Sequence, residues 1–122
     1  MRDSKSYSYV DLIRSALRRG GRAAVRATGV SMLPTIRPGT LVTITARPFA
    51  TVRPGEVVAF CLGPDIFVHR VAERDRERLL TIGDNMPLFD PPVDADAYLG
   101  CAEGIADPTP CPIQDMREVS AP

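Results

Sequence analysis

Three short segments of the sequence hold side chains of the types that nucleophilic catalysis requires. In the first, residues 29–35 (Gly-Val-Ser-Met-Leu-Pro-Thr), Ser31 follows Gly29 and Pro34 restricts the backbone just beyond. A serine on a sharp turn can present its hydroxyl beside a backbone N–H, and acyl transfer needs both groups. A serine close to a proline is more often part of an ordinary turn, so this segment alone is weak evidence for catalysis.

The second segment holds the only histidine of the chain, His69, within Phe67–Val71 (Phe-Val-His-Arg-Val). An imidazole titrates near neutral pH and can therefore act as a general base. The apolar neighbours predict a strand, on which His69 and Arg70 point to opposite faces. The alternative interpretation is a histidine whose hydrogen bonds are satisfied within the core or at a strand edge.

The third segment is Gly-Asp-Asn at 83–85, with Asp90 six residues beyond Asp84. Asp-Asn after glycine is also common in ordinary turns. A carboxylate near the imidazole can accept its N–H and fix the tautomer, as a catalytic triad requires. Asp84 and Asp90 are therefore both candidate partners of His69.

Counts of the rare residue types exclude several mechanisms. The 122 residues include one histidine, one lysine (Lys5) and no tryptophan. A site with several histidine ligands is excluded, and a catalytic lysine can only be Lys5. The three cysteines, Cys61, Cys101 and Cys111, have no CxxC spacing. We therefore expect free thiols, no disulfide framework, no metal site and no cofactor.

The elements that must position these side chains are one helix and several strands. Apolar residues recur at helical spacing over 7–19, and a Gly-Gly pair at 20–21 ends the helix. Ser6 or Ser8 can cap its start. Beyond the helix, alternating apolar residues and turn signals predict strands at 24–28, 41–46, 56–62, 66–72, 79–82 and 98–106.

This pattern predicts a mainly β fold, a small antiparallel β domain with one N-terminal amphipathic helix. We expect a helix and linker at 1–21, the β domain at 22–106 and a proline-rich tail at 107–122. The apolar face of the helix is expected to pack on the β domain.

Charge is divided unevenly along the chain. Residues 1–53 carry ten basic and two acidic side chains (+8), and residues 54–122 carry five and thirteen (−8). The simpler interpretation is that the two halves fold together and their fields largely cancel. The alternative is that the arginines of segment 14–26 contact an acidic partner or the surface of an anionic membrane.

No nucleic-acid motif accompanies these arginines, and we expect no nucleic acid partner. No apolar run approaches the roughly 18 residues that span a bilayer, and residues 1–6 lead into no signal-peptide core. We therefore expect a cytoplasmic protein, with peripheral contact to an anionic membrane as an option.

Together the segments resemble the conserved boxes of type I signal peptidases and their relatives. They occur in family order across about residues 24–106. The boxes are Gly-x-Ser-Met-x-Pro-Thr-Ile-x-x-Gly at 29–39, Gly-Glu-Val-Val-Ala-Phe at 55–60, Val-His-Arg-Val at 68–71 and Gly-Asp-Asn at 83–85 with Asp90. The wider clan also contains the SOS-response repressors that cleave themselves.

The resemblance implies roles for individual residues. Bacterial type I signal peptidases use a Ser–Lys dyad with lysine at the position of His69, whereas the archaeal and endoplasmic-reticulum type has histidine there. This chain is similar to the second type, which implies Ser31 as nucleophile, His69 as general base and Asp90 as the partner of His69. Asp84 is a second candidate partner or a positioning group.

One position departs from the signal peptidase pattern. Many members carry a serine two positions before the nucleophile, where its hydroxyl helps to form the oxyanion hole. Here that position is Gly29, as in the repressor branch, so the hole depends on backbone donors such as the Ser31 N–H. Loss of one such donor lowers turnover by about 10²–10³, which favours a slow or dedicated enzyme.

The leading hypothesis is a serine endopeptidase that removes a leader or N-terminal segment from a precursor. The precursor would bind as an extended strand beside the strand that leads to Ser31. The residues expected to contact it are Gly29, Met32, Leu33, Pro34 and Phe60. A second hypothesis is a non-catalytic peptide-binding module on the same fold. The sequence leaves the oligomeric state open.

Overall fold

The computed structural model of the chain describes residues 8–106. The predicted tail, Lys5, Ser6 and Cys111 lie outside the described residues. Within the described range, none of the helices has the length and apolar character needed to cross a membrane.

Helix α1 (Tyr9–Gly20) begins two residues after the predicted start and ends one residue after the predicted end. The Ser8 hydroxyl accepts the Asp11 N–H at 3.0 Å, and the Asp11 carboxylate accepts the Ser8 N–H at 3.4 Å. This reciprocal cap satisfies backbone donors that the first helical turn leaves unpaired. Gly21 ends the helix at φ 76°, a left-handed conformation that favours glycine, and its N–H bonds the Leu17 carbonyl.

Within residues 8–106, seven strands form one antiparallel sheet in the order β1-β2-β7-β3-β4-β5-β6. In chain order they are β1 (Arg22–Arg26), β2 (Leu41–Thr45), β3 (Val57–Leu62), β4 (Asp65–Arg74), β5 (Arg78–Ile82), β6 (Val93–Asp94) and β7 (Tyr98–Ala106), with a 3₁₀ turn at Phe49–Thr51. A small, mainly antiparallel β fold with one N-terminal helix is therefore confirmed.

The predicted strands at 41–46, 56–62 and 79–82 match β2, β3 and β5 to within one residue, and β7 matches at both ends. β1 begins two residues before its predicted start, and β4 runs two residues beyond its predicted end. The sequence did not predict β6, because two residues after a proline-rich loop are too short to show any alternation.

Several strand segments have an unpaired edge within the described residues. β1 and β6 are the two edge strands of the sheet, and they pair with β2 alone and with β5 alone. β5 joins β4 only from Arg70 onward, so residues 65–69 of β4 pair with β3 and with no strand on their other side. Residues 22–25 of β1 and 65–69 of β4 therefore keep backbone groups available for an additional strand.

The helix packs onto the sheet through one hydrophobic cluster. Ile13 and Leu17 of α1 pack with strand residues such as Val25, and with Met32 and Ile36 from the β1–β2 connection. Burying an isoleucine or leucine side chain contributes about 1.5–3 kcal/mol. The apolar face of α1 is thus covered by the β domain, as the sequence predicted.

A second cluster includes Phe60, Leu79, Tyr98 and Cys101. Phe60 has no exposed surface and lies with the side chains of this cluster. Burial raises the pKa of the Cys101 thiol, which makes it a poor nucleophile. Cys61 is also a free thiol, and it is half-buried.

Candidate active site

The connection between β1 and β2 presents Ser31. It is closed by backbone bonds from the Ala27 N–H to the Thr40 carbonyl (2.8 Å) and from the Gly39 N–H to the Ala27 carbonyl (2.9 Å). Met32, next to Ser31, is only 4% exposed and is packed in the cluster beneath α1. Ser31 is therefore fixed to the core through its neighbour, while its own side chain stays partly exposed.

Gly29 lies where the chain leaves β1 for this connection, at φ 76°. That left-handed conformation suits glycine, and a residue with a Cβ would be strained there. Among the described residues, no protein hydrogen bond is made by the backbone N–H of Ser31. The local backbone therefore leaves that donor available beside the Ser31 hydroxyl.

Ser31, His69 and Asp90 form one continuous set of hydrogen bonds. Ser31 Oγ is 3.0 Å from His69 Nε2, and His69 Nδ1 is 2.7 Å from Asp90 Oδ2. An ionised carboxylate only accepts hydrogen bonds, so the Asp90 contact assigns the proton of a neutral imidazole to Nδ1. Nε2 then has a free lone pair directed at the serine hydroxyl.

The protein surroundings hold the His69 ring in place. His69 is 4% exposed, and its ring meets the edges of Phe60 and Phe67 at centroid distances of 6.0 and 5.6 Å. On the strand His69 is paired with Val58. Fixed aromatic walls and a fixed backbone leave the imidazole little freedom to turn away from its two partners.

Asp90 is oriented by Thr81 on β5. The Thr81 hydroxyl donates to Asp90 Oδ2 at 2.6 Å, and the Asp90 N–H donates to the Thr81 carbonyl at 2.9 Å. Thr81 is completely buried. Nothing in the sequence pattern indicated Thr81, because a threonine on a predicted strand is common.

Asp84 lies elsewhere in the site and bonds to Arg70. Arg70 Nε and Nη2 donate to its two oxygens at 2.9 and 2.8 Å, and the Thr35 hydroxyl donates to it at 2.6 Å. The Arg70 guanidinium, with help from Thr35, holds the pKa of Asp84 below its ordinary value. Asp84 thereby ties β4 to the connection that carries Ser31.

The Gly-Asp-Asn segment forms hydrogen bonds with the connection between β1 and β2. The Asn85 N–H donates to the Ser31 carbonyl at 2.8 Å, and Asn85 Nδ2 donates to the Val30 carbonyl at 3.0 Å. A Cβ at Gly83 would lie 2.7 Å from the Ser31 carbonyl oxygen and 3.1 Å from His69 Nε2. Glycine is needed here because the two segments touch.

A groove of about 670 Å³ leads to Ser31 and His69. The end of β1 and the first half of β4 form two of its walls. Its lining consists of residues 25–29, 64–69, Ser31, Met32, Ile36 and Tyr9.

Of the expected substrate contacts, Gly29 and Met32 line the groove, whereas Leu33 and Pro34 lie outside its lining. The expectation for Phe60 was wrong, because this side chain is fully buried. Phe60 packs with the second cluster and makes a T-shaped contact with the His69 ring.

A family model described as Peptidase S24-like matches residues 2–94, about three quarters of the chain. The match spans Ser31, His69, Asp84 and Asp90. No curated protein matches the chain.

Proposed function

The chain belongs to the Peptidase S24-like family, and we propose that it is a serine endopeptidase with Ser31 as nucleophile, His69 as general base and Asp90 as the group that orients His69. Membership in the family indicates a peptidase. The single observation that supports the detailed mechanism is the continuous hydrogen bonding from Ser31 Oγ through both imidazole nitrogens to Asp90.

In the proposed reaction, His69 Nε2 takes the hydroxyl proton as Ser31 Oγ attacks the carbonyl carbon of the scissile bond. The Asp90 carboxylate stabilises the imidazolium that forms. The tetrahedral intermediate collapses when His69 returns the proton to the leaving amine, and an acyl ester remains on Ser31. Water, deprotonated by His69, then hydrolyses the ester and regenerates the serine.

The negative oxygen of the intermediate needs hydrogen-bond donors. The Ser31 N–H supplies one, since it is not used within the described part of the protein. Gly29 brings no hydroxyl to the position where many signal peptidases have one. Because one donor is worth about 10²–10³ in turnover, we propose that the enzyme is slow and acts on a dedicated substrate.

The groove supports binding of the substrate as an extended strand. Val25 of β1 and residues 65–69 of β4 both contribute to its lining, and among the described residues neither is paired with a strand on its outer side. A peptide between them would form ladder hydrogen bonds that require no particular side chains. The apolar lining from Val25, Met32 and Ile36 favours small or apolar residues on the acyl side.

We further propose that the enzyme uses the histidine variant of the mechanism found in archaeal and endoplasmic-reticulum signal peptidases. His69 supports this assignment because it occupies the position of the base, 3.0 Å from Ser31 Oγ. The substrate on this proposal is a precursor whose leader or N-terminal segment is removed, and residues 22–106 form the catalytic unit.

A fluorophosphonate probe, which reacts with activated serines, tests the proposal. Wild-type protein is expected to be labelled, whereas Ser31→Ala and His69→Ala are expected to lose labelling. Ser15→Ala on α1 is the matched control and is expected to label normally. Absence of wild-type labelling, or labelling that survives Ser31→Ala, contradicts the proposal and favours the non-catalytic peptide-binding module, for which Gly29 at the oxyanion position is the supporting observation.

A further inference from the structure

The loop from Gly83 to Asp90 exposes an unusual amount of apolar surface. Met86, Leu88 and Phe89 are 44%, 74% and 54% exposed. Val30, which the loop contacts through Asn85, is 53% exposed. We name these four side chains, Val30, Met86, Leu88 and Phe89, the apolar rim. Adjacent exposed apolar groups of this kind commonly mark a binding surface.

The loop that carries three of the four rim residues lies close to His69 at both of its ends. At one end, a Cβ on Gly83 would be 3.1 Å from His69 Nε2 and 2.8 Å from Met86 Cγ. At the other end, the Asp90 carboxylate is 2.7 Å from His69 Nδ1. The rim therefore lies on the histidine side of the site.

The groove lies on a different side. Its lining comes from β1, the segment leading to Met32 and the first half of β4, and includes no residue of 83–90. An extended peptide that fills the groove with its acyl side must continue past His69, because His69 delivers a proton to the leaving amine. The residues that follow the scissile bond then meet the loop.

We propose that the apolar rim binds the segment that follows the scissile bond, so that substrates carry apolar side chains in the first few positions after the cut. This inference rests on the proposed peptidase function and adds a substrate class to it. Of the two carboxylates of the loop, Asp84 is paired with Arg70, and Asp90 is bonded by His69 and Thr81. A neutral, apolar peptide segment suits that surface.

Charge also distinguishes a peptide from a lipid surface. The loop itself, residues 83–90, carries two acidic side chains and no basic side chain. An excess of acidic groups is repelled by anionic headgroups. The rim is therefore assigned to the substrate peptide.

Cleavage of a proteome-derived peptide library, read by mass spectrometry, tests the inference. Wild-type protein is expected to cut with about tenfold enrichment of Leu, Ile, Met and Phe in the three positions after the cut, the discrimination typical of an apolar contact. The double variant Leu88→Ser/Phe89→Ser is expected to lose this enrichment. Leu12→Ser, which changes an exposed apolar residue of α1 (55%), is expected to keep it.

The outcomes separate the two proposals. Cleavage that depends on Ser31 but shows no apolar enrichment, or enrichment unchanged in the double variant, overturns the inference and leaves the peptidase intact. Absence of any cleavage that Ser31→Ala abolishes overturns the inference, and absence of fluorophosphonate labelling as well overturns the peptidase function with it. Equal melting temperatures of the double variant and Leu12→Ser establish that a lost enrichment is not caused by unfolding.

Two further measurements address other occupants of the rim. Sedimentation with phosphatidylcholine–phosphatidylglycerol vesicles and sedimentation velocity are compared for wild type and double variant. No difference is expected. Vesicle binding or dimerisation that the double variant abolishes, with unchanged cleavage enrichment, assigns the rim to lipid or to a second copy and overturns the inference.

Discussion

Arg70 directly follows His69 on β4, and it binds Asp84 through two hydrogen bonds of 2.9 and 2.8 Å. Consecutive residues of a strand point to opposite faces. Each of the two residues therefore takes one aspartate of the same loop, with His69 bonded to Asp90 and Arg70 bonded to Asp84. The alternation of one strand separates a proposed catalytic pair from a pair that holds the site together.

Asp90→Asn is expected to lower kcat by about 10³–10⁴, because an amide no longer enforces the Nδ1–H tautomer of His69. Stopped or continuous assays of a cleaved peptide, together with the rate of fluorophosphonate labelling, measure this loss. Thr81→Val removes one hydrogen bond to Asp90 but keeps its charge, so a loss of about tenfold is expected. An Asp90→Asn enzyme as fast as wild type contradicts the proposed role of Asp90.

The Asp84–Arg70 pair is expected to make stability depend on pH in the acid range. The pKa of Asp84 is lowered in the folded protein by Arg70 and Thr35. Its contribution is therefore fully present above the unfolded value of about 3.9 and is lost as pH falls through the lower folded value. Urea unfolding between pH 2 and pH 7 measures it.

Asp84→Asn is the matched variant for that experiment. It is expected to lower the free energy of unfolding at neutral pH by about 1–2 kcal/mol, with a smaller further loss in acid than wild type shows. Glu56, whose pKa is lowered by Arg47, retains its own acid dependence in both proteins. Parallel pH curves for wild type and Asp84→Asn would show that the pair does not contribute.

Gly83→Ala is expected to reduce activity more than stability. The added methyl would lie 2.7 Å from the Ser31 carbonyl oxygen and 3.1 Å from His69 Nε2, so one of these groups must move. A displacement of the reacting groups by about 1 Å can reduce the rate by about 10². Kinetics and thermal melts are compared with Gly104→Ala, where the nearest contact is an ordinary 3.4 Å.

Leu17→Ala is expected to lower the free energy of unfolding by about 2–5 kcal/mol, because it removes a buried side chain that joins α1 to the sheet. Leu12→Ala on the same helix is the control, since Leu12 is 55% exposed and surface changes are usually within about 0.5 kcal/mol. Urea titration measures both. Equal effects would mean that α1 is not held by its apolar face.

Local patterns were enough to predict much of this molecule. Helical spacing, a serine cap at position 6 or 8 and the Gly-Gly pair predicted α1, and alternation predicted most strands. The segments around Ser31 and His69 were identified by residue type and by family resemblance. The structure brings these two side chains within hydrogen-bond distance, but their proposed roles await the experiments above.

Features that depend on distant parts of the chain could not be predicted. The residues alone left both aspartates of the loop as candidate partners of His69, although the family resemblance implied Asp90, and only the path of residues 83–90 directs Asp84 to Arg70. Phe60 was wrongly expected to contact substrate, because the sequence alone does not show which face of β3 the packing of the sheet will bury. The pairing of Thr81 with Asp90 likewise requires the loop to return to β5, where the Asp90 N–H bonds the Thr81 carbonyl.

Strand addition beside residues 22–25 of β1 and 65–69 of β4 would change the rigidity of the sheet during a catalytic cycle. A peptide seated between them would serve as a temporary strand of the sheet, so the bound protein would be more rigid than the free one. Amide hydrogens along 22–26 and 65–69 would exchange more slowly in the complex of an inactive Ser31→Ala protein with its substrate. Cleavage would divide the bound peptide into two shorter segments, each with fewer backbone hydrogen bonds to the sheet. Both products would therefore dissociate more readily than the substrate.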